Sequence, residues 1–135
     1  MAFVPMTAGG GSMSETTLWT NATPTADFAA ATVNLSDNIS NYDYIVIEAN
    51  FSKSENNSLT YIYKASELPN CTQGGTYPVM CVANYYNSRY YYRLIYYVSD
   101  TSVSVGTCKY NTGNGTAANY NSGCIPLTIK GMKYA

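Results

Sequence analysis

The chain is 135 residues long, room for one domain around one modest core. Only 11% of its residues are charged, the formal net charge is -1 and no basic block stands anywhere, which argues against nucleic acid as a partner. Hydrophobic residues make up 46%, too many for a disordered chain, yet no apolar run approaches the roughly 18 residues of a spanning helix, so no membrane insertion is expected.

In chain order, residues 1–16 stand apart. Gly9, Gly10, Gly11 and Ser12 make a short flexible linker, preceded by the apolar plug Phe3, Val4, Pro5 and Met6. A signal peptide needs a basic start and a longer apolar stretch, and neither is present. The segment reads as a free tail or as an arm that docks on a neighbouring protein through Phe3, Val4 and Met6. Residues 17–135 read as one domain of strands and turns.

Residues 18–20 and 32–35 predict two short strands, and the alanines of residues 25–31 allow one helical turn between them. Residues 44–51 predict the clearest strand, with Ile45, Ile47, Ala49 and Phe51 on one face and Glu48 and Asn50 on the other. A polar turn at residues 54–58 then leads into a returning strand at 59–64. Further strands are predicted at 77–86, 89–99, 102–110 and 125–132. β-branched and aromatic residues dominate these segments, and turn signals recur at near-regular spacing. The predicted fold is therefore all-β, a single antiparallel sandwich of jelly-roll-like form behind a flexible N-terminal arm.

Histidine is absent, which removes the usual proton shuttle and the commonest metal ligand. The eight acids are scattered singly beside turn-forming residues, so no carboxylate pair for glycoside hydrolysis is recognisable. We expect no catalytic residue, no metal site and no cofactor. The cysteines Cys71, Cys81, Cys108 and Cys124 lack zinc-site spacing. Nearest neighbours in sequence would staple two loops, while four reduced and buried thiols suit a chain made in a cytosol. N-x-S/T triplets at Asn21, Asn34, Asn38, Asn50, Asn56, Asn70 and Asn114 read as composition in a chain this rich in Asn, Ser and Thr.

The 15 tyrosines are the most informative feature. In RYYYRLIYYVS, residues 89–99, alternation separates Tyr90, Tyr92, Leu94, Tyr96 and Val98 from Arg89, Tyr91, Arg93 and Tyr97. The first set is wholly apolar and is expected to face the core. The second then serves ordinary cross-strand packing on a two-faced sheet, or an outer surface for another protomer or a sugar, since tyrosine joins a large apolar area to a polar tip. Rings on both faces predict a second burial partner, hence a homo-oligomer.

Leu18-Trp19-Thr20-Asn21, Thr23-Pro24-Thr25, Asp27-Phe28-Ala29, Val33-Asn34-Leu35-Ser36-Asp37 and Tyr42-Asp43-Tyr44-Ile45 resemble a module of tail-fibre-type and other virion proteins. Such proteins belong to phages and prophages of gut clostridia and related Firmicutes. Residues 97–103 and 124–133 resemble the closing strands of the same module. The resemblance implies a virion structural protein, made in the host bacterial cytoplasm and displayed on the particle surface. It implies other virion proteins as partners, a trimer as the first guess, and a host surface glycan or protein as receptor. A capsid decoration or head-fibre protein is the close alternative, and a free carbohydrate-binding module the next.

Overall fold

The computed structural model describes residues 12–74, 80–86, 88–111 and 117–134; Phe3, Val4 and Met6 lie outside them, as does the side chain of Cys81. Its strands are β1 (Met13–Thr20), β2 (Ala31–Asn34), β3 (Tyr44–Ser52), β4 (Glu55–Lys64), β5 (Met80–Tyr86), β6 (Arg89–Ser99), β7 (Ser102–Val105), β8 (Lys109–Asn111), β9 (Ala117–Asn119) and β10 (Gly123–Tyr134). They form two antiparallel sheets. One has the order β1-β10-β3-β4; the other runs β2-β7-β6-β8-β9, with β5 on the free side of β6. Packed face to face, the sheets make the expected all-β sandwich.

The core takes alternate residues from each sheet, as the two-residue strand period requires. Leu18, Ile45, Ile47, Ala49 and Ile129 come from the first sheet, and Val33, Val82, Ile95, Val103 and Val105 from the second. Two 3-10 turns, Ile39–Asn41 and Ala65–Asn70, add Ile39 and Leu68 at one end. On the outer face of the first sheet, Lys130 Nζ on β10 reaches Glu15 on β1 at 3.2 Å and Glu48 on β3 at 2.9 Å, tying three strands together.

Several elements differ from the sequence expectation. β1 opens at Met13, which pairs with Tyr134, so Met13–Thr16 belong to the sandwich and not to the arm. The alanines of residues 25–31 form no helix; the Phe28 N–H is held instead by Asn121 O at 3.0 Å. The polar segment after β3 is mostly strand, because β4 begins at Glu55. Residues 102–110 break after Val105, where the Gly106 N–H bonds Leu94 O at 2.9 Å. A Cβ at Gly106 would stand 3.0 Å from that same oxygen, so glycine permits this close approach.

The largest correction concerns β6. Alternation groups its residues as expected, but the inner and outer faces are exchanged. Arg93 and Ile95 are fully buried, Tyr91 and Tyr97 pack against the core, and Tyr90 and Val98 are about half exposed. Cross-strand partners settle the direction: Arg93 lies opposite Val82 and Ile95 opposite Val105, and both valines are buried. Arg93 and Tyr97 are therefore not an outer surface for a partner. Burying a guanidinium is costly unless its donors are satisfied, and here they are.

Asn21 shows why one of the triplets is structural. Its side chain is buried, donates to Pro126 O at 2.8 Å and accepts the Thr23 N–H at 2.9 Å, pinning the turn after β1.

Candidate functional site

At the turn between β3 and β4, the sandwich ends in a cavity of about 130 Å³. Phe51 and Ser52 close β3, Ser54 sits in the turn and Glu55 opens β4; Asn84 from β5, Tyr91 from β6 and Tyr120 after β9 complete the lining. Drug-sized ligands and cofactors occupy roughly 300–1,000 Å³. This cavity suits one ring, or one unit of a chain that continues into solvent.

The aromatic wall is braced from behind. Tyr91 packs on Tyr110 and Tyr120 at centroid distances of 5.4 and 5.2 Å, and those two meet edge to face at 6.0 Å. The Arg89 guanidinium lies 4.8 Å above the Tyr110 ring. Asn84 Nδ2 donates to Phe51 O at 3.3 Å, which fixes its amide across the gap between the sheets. Nearby, the Tyr61 hydroxyl accepts the Ala83 N–H at 3.0 Å and donates to Ala83 O, holding β5 against β4.

Beneath the wall lies Arg93. Its Nε donates to Gly123 O at 3.2 Å and Cys124 O at 2.8 Å, Nη1 to Gly106 O at 2.9 Å, and Nη2 to Asn121 O at 3.0 Å and Gly123 O at 3.1 Å. The Phe28 ring covers the guanidinium at 5.3 Å. One side chain thus fixes the Tyr120 turn, the start of β10 and the Gly106 break. Burial pulls the Arg93 pKa below its ordinary value, against the opposing charges of Cys108, Cys124 and Asp27.

Outside this cluster, Asp27 accepts Ser122 Oγ at 2.6 Å and pairs with Lys53 Nζ at 2.9 Å. The Ser122 bond first, and then Lys53, hold its carboxyl below the ordinary aspartate value. A carboxyl with a lowered folded pKa adds stability that is full above its unfolded value and fades as pH falls through the folded one. Stability of the wild type is therefore expected to fall on acidification below the ordinary aspartate range. Asp27→Asn should remove a small part of that loss, as suits an exposed pair. Denaturant titrations of both proteins across that range check this, and identical pH dependence would contradict it.

Of the residues singled out by sequence, the structure brings Arg89 and Tyr91 together around Tyr110, places Arg93 behind them, and leaves Tyr97 beside Cys71, whose carbonyl takes the Tyr97 N–H at 2.7 Å. Cys71, Cys108 and Cys124 are buried; Cys108 Sγ lies 3.9 Å from Lys109 O, and Cys124 Sγ lies 3.6 Å from Tyr91 O. Phe51, Glu55, Asn84, Tyr110 and Tyr120 were not legible as site residues. They come from four separate segments, and no local pattern links them. Among the described residues no group of three or more His, Cys, Asp or Glu is placed to hold a metal. No family model matches the chain, and no curated protein matches it either.

Proposed function

We propose that this chain is a phage virion structural protein of the fibre or receptor-binding type, a surface sandwich that holds a host glycan in the aromatic cavity. The observation that carries the binding reading is the cavity lining. Phe51, Tyr91 and Tyr120 put aromatic side chains into the lining, for contact with the apolar side of a sugar. Asn84, Glu55, Ser52 and Ser54 offer donors and acceptors for its hydroxyls. Among the described residues Glu55 is the sole carboxylate in that lining, which supports binding over hydrolysis, since glycoside cleavage ordinarily takes two acids. The virion setting rests on the sequence phrases within residues 18–45, 97–103 and 124–133. In this reading Phe3, Val4 and Met6 anchor the chain to other virion proteins.

An array of bacterial surface polysaccharides tests the binding reading. Purified protein should bind a subset saturably. Tyr120→Ala should weaken that binding several-fold, in line with about 0.5–1.5 kcal/mol for one aromatic contact. Tyr85→Ala, 70% exposed on the opposite face of β5, should leave it unchanged. Absence of binding across the array, or full binding by Tyr120→Ala, would overturn the reading.

A second observation favours the decoration alternative. The outer face of β5 and β6 carries Tyr85, Tyr90, Tyr92, Leu94, Tyr96 and Val98, an apolar stripe suited to contact with another protein or another copy. Labelling on intact particles separates the two: signal at the tail tip supports the receptor reading, and signal over the capsid supports decoration. A chain that binds glycan but is missing from purified particles would point to a free carbohydrate-binding module.

A further inference from the structure

Among the described residues that line the aromatic cavity, one is charged, and it is Glu55. It opens β4 directly opposite Ser52 of β3. The chain has seven lysines and arginines, all of them among the described residues, and none lines the cavity or forms an ion pair with Glu55. Lys53, two residues before Glu55, sends its Nζ to Asp27 at 2.9 Å and its N–H to Ser122 O at 2.9 Å. Lys130 is shared between Glu15 and Glu48. Arg93 is spent on carbonyls behind the wall, and the Arg89 guanidinium lies over Tyr110. Lys64 closes the opposite end of β4, while Lys109 and Lys133 belong to β8 and the end of β10. No cationic side chain of this protein is placed to neutralise Glu55.

The other polar atoms of the lining add acceptors more than donors. Asn84 commits an Nδ2 hydrogen to Phe51 O at 3.3 Å, while its Oδ1 meets the Cys124 thiol, a weak donor, at 4.0 Å. Ser52 Oγ accepts the Ser54 N–H at 3.3 Å, and the two serine hydroxyls share a further bond at 3.3 Å, which spends one of their hydrogens within the turn. A full negative charge among acceptors suits a ligand group that brings several donors and a positive charge. An alkylammonium brings three donors. The aromatic side chains of Phe51, Tyr91 and Tyr120 favour the same group, because an aromatic ring attracts a cation held against it. A uronate or a phosphate would instead meet Glu55 as a like charge, with no lysine or arginine in the lining to offset it.

We propose that the cavity selects an amino sugar with a free, protonated amine, whose ammonium pairs with Glu55 beside the aromatic side chains. This inference rests on the glycan reading and names the sugar class within it. The cavity of about 130 Å³ admits one sugar ring, so the selected unit is one hexosamine of a polymer that continues into solvent. N-acetylation removes the charge and leaves the nitrogen one N–H donor, so an N-acetylated unit forfeits both the ion pair and the attraction to the rings. Glu55 is thus the residue that decides specificity, and the aromatic residues supply the contact area.

The full chain is titrated calorimetrically with oligomers of glucosamine, N-acetylglucosamine, glucose and glucuronic acid of equal length, in mildly acidic buffer that keeps the sugar amines protonated. The glucosamine oligomer should bind about tenfold more tightly than its N-acetylated counterpart, as one partly exposed ion pair and one cation–aromatic contact together imply. The glucuronic acid oligomer should bind most weakly. Glu55→Gln should abolish the preference for the free amine, and Glu67→Gln, in the 3-10 turn Ala65–Asn70 and outside the lining, should keep it. The wild-type order of affinities decides the matter even where a variant fails to fold. Equal or tighter binding of the N-acetylated, neutral or acidic oligomer, or a preference that survives in Glu55→Gln, would overturn the proposal and leave the glycan reading standing. Binding to none of the four oligomers, with saturable binding elsewhere on the polysaccharide array, would also overturn this proposal alone. Binding to no sugar at all would overturn both.

Discussion

Arg93→Met is expected to lower folding stability by about 3–5 kcal/mol, the range for removing one partner from a buried charged contact. The carbonyls of Gly106, Asn121, Gly123 and Cys124 would lose their charged donor together, and the methionine chain offers them nothing. Arg93→Lys should cost less, roughly half as much, because an ammonium keeps the charge but cannot reproduce the planar fork that serves two separated backbone segments. Urea denaturation with an unchanged slope and a shifted midpoint reads both variants. A loss under about 1 kcal/mol for Arg93→Met would mean that the Tyr120 turn and the start of β10 keep their shape without the guanidinium. The glycan cavity would then not depend on it either.

Gly131→Ala is the second large effect. Its Cβ would stand 2.5 Å from Cγ and Cδ1 of Tyr42 and 2.7 Å from Cδ2, well inside van der Waals contact. These atoms are at the root and flank of a rigid ring, so no floppy tip can swing aside. Tyr42 is also held at its far end, where its hydroxyl donates to Asp37 Oδ2 at 2.8 Å. Either the ring or strand β10 must shift, and overpacking of this kind costs about 1–3 kcal/mol. Adding Tyr42→Ala to Gly131→Ala should recover part of the loss. A double-mutant cycle should therefore show a coupling of about 1 kcal/mol or more in the direction of relief. Strictly additive single effects would show that the ring is not what Gly131 accommodates.

The two predictions differ in how visible they were beforehand. Gly131 lies within a predicted strand, and nothing in the sequence says that Tyr42 crosses it. Arg93 is visible in the sequence, but local alternation points it outward and the structure turns it inward. On local grounds, a strand with one wholly apolar alternate set should turn that set inward, because a buried charge costs more than an exposed ring. That rule lost here. The inner set is fixed by register against Val82 and Val105, and a register shift of one residue exchanges the faces of a strand. The carbonyls that make Arg93 tolerable come from Gly106, Asn121, Gly123 and Cys124, all distant from Arg93 in sequence.

Sequence alone determined the all-β class, because a two-residue alternation such as Ile45, Ile47 and Ala49 suits a half-buried strand and no helix. It also determined which side chains of β6 travel together, since the backbone period forces Arg89, Tyr91, Arg93 and Tyr97 onto one side. Tertiary structure decided which side that is, by supplying a cage of carbonyls that turns a charged residue into a core residue. It likewise decided the cavity, where Phe51, Glu55, Asn84, Tyr91 and Tyr120 meet across two sheets. Periodicity is a property of one strand. A site shared by several strands depends on pairings and packing that no single strand encodes.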